Sequence, residues 1–303
     1  MSASDPFSNR SPMSVGEGFG GIDVSVDRRL GDLRDRVAGW RVAGESIALV
    51  PTAGQLHAGH NLLIKAARHV ATHVVVALLP APSRVMGDGE AAVDPASEIA
   101  DLRRVSQAGA SSCWAPPLDQ MVPSGVDTRV RAGSLAEPME GIHRREALDW
   151  MTTALTKLII QAEPDVVVFA DREYQLLLIM ARIAADLDLP VQVAAAATAR
   201  EPDGLVMAAA NGRLDPEARV IAGVLPKTLF RMVGRLTDGA STPEAEIAWG
   251  RDQLMTAGIT AVDYLDVRDP RTLEPVIASG APARVFVAVR LGGVRLVDSM
   301  AVG

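Results

Sequence analysis

Two histidines three residues apart, His57 and His60, stand in the stretch Pro51-Thr52-Ala53-Gly54-Gln55-Leu56-His57-Ala58-Gly59-His60. An apolar run, Ile47-Ala48-Leu49-Val50, precedes it, and a helical pattern, Asn61 to Val70, follows it. A strand, a glycine-containing turn and a helix start are the outline of a nucleotide site. The opening of a helix offers unpaired N–H groups and a positive dipole end to phosphate. Imidazoles placed there can donate hydrogen bonds to phosphate oxygens as charge develops in a transition state. Gly59 lets a ligand approach the backbone closely. Thr52, Gly54, His57 and His60 are therefore the first nucleotide-binding candidates.

Such residues need a frame. Val24 to Trp40 reads as a helix, Ile47-Val50 as a buried strand, Asn61-His69 as a helix and His73-Leu79 as a second strand. In the helical stretch Pro95-Gly109, Ile99, Leu102, Val105 and Ala108 recur at spacing three and face a core. Cys113-Ala115 is a short strand. Arg145-Gln161 is a long helix with Leu148, Met151, Leu155 and Leu158 on one face. Val166-Phe169, Glu173-Leu187 and Val191-Val193 continue as strand, helix and strand. Short apolar strands alternating with helices imply an α/β fold, a Rossmann-like parallel sheet covered on both faces. Ligands of such sheets lie at the carboxyl ends of the strands. His57, Pro80-Arg84 and Asp171-Gln175 each follow a strand and converge there. Past about Thr198 the pattern changes. Leu214-Leu236 and Pro243-Ala257 read as helices, and Val262-Leu265, Val285-Val289 and Val294-Asp298 as strands, the last two joined in a hairpin. The expected organisation is a flexible tail over 1–22, a nucleotide-binding domain over 23–198 and a small C-terminal α+β domain over 199–303.

The net charge of -7 over 303 residues excludes a broad nucleic-acid surface. One cysteine, Cys113, excludes an internal disulfide and fits a cytoplasmic protein. No apolar run reaches the roughly 18 residues of a membrane span. Cys113 has no basic neighbour in sequence and reads as an inert thiol. His69 and His73 have a metal-ligand spacing without a third ligand, so no metal site is expected. Glu98, Asp101, Arg103 and Arg104 read as a solvated helix face. The four tryptophans are spread too widely for a stacking platform and read as packing or interface residues.

The stretch PTAGQLHAGH resembles the adenylate-forming signature of pantothenate synthetases, also called pantoate–β-alanine ligases, within the wider HIGH-motif nucleotidyltransferases. The likeness runs on through AEPDVVVFADREYQLLLIMARIAADLDLPVQV, TAREPDGLVMAAANGRLDPEAR, VDYLDVRD and RLGGVRLVDSM. It implies ATP and Mg²⁺, an acyl-adenylate of pantoate, attack by the amine of β-alanine, and a homodimer. It carries a catalytic role to His57, His60 and Arg172, and nucleotide contacts to Glu173 and Met207. Arg84, Gln175 and Leu176 fall on the acid-substrate pocket.

Several positions depart from the family pattern. Arg84 stands where a glutamine holds pantoate, and Leu176 replaces the second such glutamine. Arg172 replaces a lysine; it keeps the charge but not the point-donor geometry. The family's Met-Ser-Ser-Arg-Asn loop is here Met207-Ala208-Ala209-Ala210-Asn211, with Arg213 as the candidate for the missing loop charge. A histidine before the long helix is replaced by Ala147. Three readings stay open. The replaced groups favour a non-catalytic paralogue that binds a nucleotide or a partner, conceivably in a mixed dimer with an active copy. The alternatives are a ligase acting on another acid and an ordinary pantoate–β-alanine ligase.

Overall fold

A computed structural model describes residues 22–80, 95–278 and 280–303. Arg84 lies outside the described residues. The first domain is a six-stranded, all-parallel sheet in the order β1-β4-β3-β2-β5-β6. Its strands are β1 (Ser25–Asp27), β2 (Ile47–Thr52), β3 (His73–Leu78), β4 (Ser112–Trp114), β5 (Val166–Ala170) and β6 (Gln192–Ala196). Alternate residues of a strand face opposite sides. Leu49, Val75, Ala77 and Val167 thus enter one core, beneath α1 (Leu30–Val42), α6 (Arg145–Ala162) and α7 (Tyr174–Asp186). Ala48, Val50, Val74 and Val76 enter the other, beneath α2 (Ala58–Val70) and α3 (Pro95–Gln107). Burial on both faces is why these strands read as continuous apolar runs.

Between β4 and α6 the chain forms two single turns, α4 (Leu118–Met121) and α5 (Glu140–His143). The second domain contains α8 (Pro216–Ala222), α9 (Val224–Thr237) and α10 (Pro243–Thr256). They accompany an antiparallel sheet of β7 (Ala261–Arg268), β8 (Ala283–Leu291) and β9 (Val294–Val302). Val285, Val287 and Val289 of β8 pack with α9 and α10, while Phe286 and Ala288 face Tyr174 and Leu178 of α7. The small sheet therefore lies between its own helices and the first domain. Gly292 and Gly293 both have positive φ, 55° and 75°, as a two-residue type I′ hairpin turn requires.

Two expectations fail. The helix expected over Val24 to Trp40 begins only at Leu30, because Ser25–Asp27 pairs with β4 as an edge strand. The single helix over Leu214-Leu236 is two, broken at Gly223; Pro226 has no N–H to return to Ala222. No helix among the described residues is long and apolar enough to cross a membrane.

Candidate active site

From β2 the chain works outward through β3 to β4, then returns to β5 on the other side of β2. The strand order therefore reverses between β2 and β5, which is where an open α/β sheet leaves a crevice at its carboxyl ends. A cavity of about 690 Å³ lies there. Thr52, Gly54, His57, His60, Arg172, Glu173, Gln175, Leu176 and Met207 all line it. Every candidate residue within the described segments is thus brought to one place.

The histidine pair is held by the helix start. His57 is the N-cap of α2; its Nδ1 accepts from the Gly59 N–H at 3.2 Å, and His60 Nδ1 accepts from the His57 N–H at 3.2 Å. The ring centroids are 4.1 Å apart. With both Nδ1 atoms accepting, each neutral ring carries its hydrogen on Nε2. Neutrality follows from the surroundings. Burial, with the charges of Arg172 and Arg104, lowers His57 to about 4. Burial, then His57, Arg172 and Arg104, lowers His60 to about 3. The result is two neutral N–H donors at the positive end of α2.

Gly59 has a different reason from the one the sequence offers. A Cβ there would meet His57 Cε1 at 2.9 Å and Nδ1 at 3.0 Å, and the Ala199 Cβ at 3.3 Å. The space is filled by the imidazole, so glycine lets the ring lie against the first turn.

The turn before the histidines is pinned from beneath. Gln55 adopts φ 52°, and its N–H donates to Asp101 Oδ2 at 2.8 Å. The Leu56 N–H donates to Asp101 Oδ1 at 2.6 Å. Asp101 is only 2% exposed, so it is not part of a solvated helix face. Burial raises its pKa while the two backbone N–H groups pull the other way. The signal was present in the sequence: Asp101 lies four and seven residues before Val105 and Ala108, on the buried face of α3.

Other candidates hold the frame. The Thr52 hydroxyl donates to the Ala77 carbonyl at 2.9 Å, between β2 and β3. The Gln175 amide donates to the carbonyls of Leu135 and Pro138 at 2.9 Å each and accepts from the Glu140 N–H at 3.2 Å. It faces the cavity, yet all three bonds fix the loop 135–140. Leu176 joins an apolar wall with Trp150, Met151 and Leu155. Arg172 is 3.7 Å from Glu173.

Sequence reasoning missed a polar cluster on the cavity's C-terminal side. Arg295 of β9 donates to both oxygens of Glu140, at 2.7 and 3.1 Å, and to Asp263 at 2.7 Å. The Tyr264 hydroxyl donates to Glu140 at 2.7 Å. Desolvation works against the Asp263 carboxylate, but Arg295 and Arg290 hold it below the usual range. Nearby, Arg284 of β8 donates to both oxygens of Asp171 at 2.8 Å, directly before Arg172. The bonds to Glu140 and Asp171 span more than a hundred residues of sequence, so no local pattern could reveal them. Elsewhere, His73 stacks on Trp40 at 4.1 Å and bonds Glu45 at 2.7 Å. Cys113 is buried, and burial pushes its thiol up.

A family model described as pantoate-beta-alanine ligase matches residues 25–301. The pantothenate synthetase of Rhizorhabdus wittichii is 36% identical over 282 residues, covering 92% of this chain and 99% of that protein. That of Ruegeria pomeroyi is 37% identical over 282 residues, covering 93% and 98%. The crystal structure of pantothenate synthetase from Thermus thermophilus superposes with a TM-score of 0.81 at 30% identity, covering 91% and 99%. A pantoate-beta-alanine ligase from Francisella tularensis, complexed with beta-gamma ATP and beta-alanine, superposes at 0.74 with 18% identity, a likeness of fold alone. Whole-length relatives above a third identical, a family match over almost every described element and a shared two-domain fold leave one conclusion: the chain belongs to the pantoate–β-alanine ligase family.

Proposed function

We propose that the protein is an ATP-dependent acid–amine ligase of the pantoate–β-alanine type. The relatives carry that enzyme's name, and they support the ordinary-ligase alternative better than the non-catalytic reading drawn from the replaced loop. The observation that carries the proposal is the pair of neutral imidazoles, His57 and His60, presenting Nε2–H donors at the start of α2 beside Arg172.

In the first step a carboxylate oxygen of the acid attacks the α-phosphorus of ATP, and pyrophosphate leaves with the bond electrons. Neutral donors suit this step. They donate hydrogen bonds to the phosphate oxygens as extra negative charge appears there, and they need no reorganisation when it does. Arg172 offsets the remaining charge. In the second step the amine attacks the acyl carbon and AMP departs. Among the described residues no three His, Cys, Asp or Glu side chains gather as a metal site. Magnesium binds through phosphate oxygens and retained waters, so it would reach the cavity on the nucleotide rather than in a protein cage.

ATP–pyrophosphate exchange with pantoate among a panel of carboxylic acids tests the proposal, followed by pantothenate formation on adding β-alanine. Exchange with pantoate, abolished in His57→Ala, is the expected result. One observation favours a second reading: Ala208, Ala209 and Ala210 present only methyl side chains to the cavity. Nucleotide binding by calorimetry without exchange for any acid would establish that non-catalytic reading instead.

A further inference from the structure

The wall that α6 presents to the cavity is apolar. We propose that this wall receives the body of the acid substrate, and that the site is built for a monocarboxylic acid whose body is apolar and free of hydroxyl groups. The proposal rests on the ligase reading and names the class of acid for that site.

Ala147, Trp150, Met151 and Ala154 all line the cavity. They stand at i, i+3, i+4 and i+7 of α6, so they form one stripe along the helix. Leu176, in the first turn of α7, extends the same surface. Of these side chains only Trp150 carries a strong hydrogen-bonding group, the single N–H of its indole. Gln175, next to Leu176, adds little. Both hydrogens of its amide nitrogen are already given to the carbonyls of Leu135 and Pro138. A hydroxyl laid against this surface loses its water and gains no partner, whereas a hydrocarbon body gains by leaving water.

The stripe also faces the chemistry. α2, which carries the histidine pair, covers one face of the first sheet, and α6 covers the other. The cavity over the carboxyl ends of β2 and β5 therefore has the imidazoles on one side and the stripe on the other. An acid between them turns its carboxylate to the α-phosphorus at the histidines and lays its body on α6. The reaction is unchanged: a carboxylate oxygen bonds to phosphorus, and pyrophosphate leaves with the electrons of the broken bond. Adenine is a poorer occupant of this wall. Its ring nitrogens and amino group need several partners, and the indole N–H would answer one of them.

The test uses pyrophosphate exchange on the full chain with two acids of one carbon skeleton. They are pantoate, which carries two hydroxyls, and tert-butylacetic acid, its dideoxy form, which carries none. The hydroxyl-free acid should give a kcat/KM about tenfold higher, the scale of one hydroxyl buried without a partner. Equal values, or a preference for pantoate, would overturn the proposal. Met151→Gln keeps the length of the side chain and adds an amide to the wall. In a variant with normal melting it should bring the two values close together; an unchanged ratio would overturn the placement on α6. Tryptophan emission reads binding without turnover. Tert-butylacetic acid should shift it to the blue, and Trp150→Phe should abolish the shift. A shift that survives in Trp150→Phe, or that AMP causes and the acid does not, would overturn the proposal. If neither acid supports exchange, the ligase reading fails by itself, and the emission titration still decides what occupies the wall.

Discussion

Replacing Gly59 by alanine separates the architecture of the histidine pair from the stability of the fold. The backbone at Gly59 is helical, in the first turn of α2, so alanine fits its conformation. Alanine is favoured over glycine inside a helix by up to about 1 kcal/mol. The added methyl group would sit 2.9 Å from His57 Cε1 and 3.0 Å from Nδ1, several tenths of an ångström inside contact distance. Ala199 stands on its other side at 3.3 Å, so the methyl cannot retreat. The imidazole must move, and its bond from the Gly59 N–H is lost. A neutral hydrogen bond contributes about 1 kcal/mol, close to the helical gain. The melting temperature should therefore stay within about 5 °C of the parent protein.

Activity should respond quite differently. A displacement of about 1 Å at a reacting centre can cost about 10²-fold in rate. Gly59→Ala should slow pyrophosphate exchange by that order, mainly through kcat. His57→Ala should cost less in the Gly59→Ala background than it costs in the parent protein, because groups acting as a unit are non-additive. The His57 ring, turned toward solvent, should also titrate nearer 6.5 than about 4, readable from its Cε1 proton resonance. A variant that exchanges at the parental rate would refute the reasoning. So would one that melts far lower, since Gly59 would then be structural rather than a buttress for the ring.

Two further outcomes follow from the same site. His57 and His60, lowered to about 4 and about 3, should show no titration between pH 6 and 8 in NMR; a midpoint near 6.5 for either would contradict their burial. Because their folded pKa values lie below the unfolded value, the pair leaves stability unchanged above pH 6.5 and lowers it as pH falls toward about 4 and about 3. His60 alone should cost about 2 kcal/mol by pH 5, measured as the difference in urea midpoints against His60→Gln. Asp101→Ala leaves the buried Leu56 N–H and the part-buried Gln55 N–H without their acceptor and should cost about 2–6 kcal/mol, with Asp101→Asn losing roughly half. A loss under about 1 kcal/mol in urea melts would mean that the turn does not depend on Asp101.

Much of this was written locally in the chain. β2, β3 and β5 are buried almost throughout, so each appeared as a short unbroken apolar run at its proper place. The histidine turn carried its own signals, a glycine and a helix start, and every described candidate residue lies on one cavity. What stayed hidden had non-local causes. β1 has only three residues, and its identity comes from pairing with β4. Asp101 reads as solvated by its charge, yet it shares the buried face of α3 with Val105 and Ala108. Gln175 lies on the cavity, and the part its amide also takes in closing the loop 135–140 is invisible locally because its partners stand 35 to 40 residues away. Glu140, Asp263 and Arg295 meet only because the second domain folds back against the first.

That return contact places two ion-paired arginines of the small sheet against the first domain at the cavity. Arg295 is 12% exposed in its side chain and lies between two carboxylates, while Arg284 is 6% exposed and grips Asp171. Removing such charges from water costs several kcal/mol per ion, and mutual attraction recovers little beyond that cost. Their net contribution to stability is therefore small, and hydrophobic residues of similar volume would hold the interface as well. Directional hydrogen bonds do what hydrophobic packing cannot: they fix register. Arg284 sets the residue before Arg172, and Arg295 sets the turn that begins at Glu140. Both arginines belong to the small antiparallel sheet, so its position determines where the cation of the histidine side stands relative to the turn that begins at Glu140. A ligand held between them would meet a spacing set by the two ion pairs rather than by its own binding.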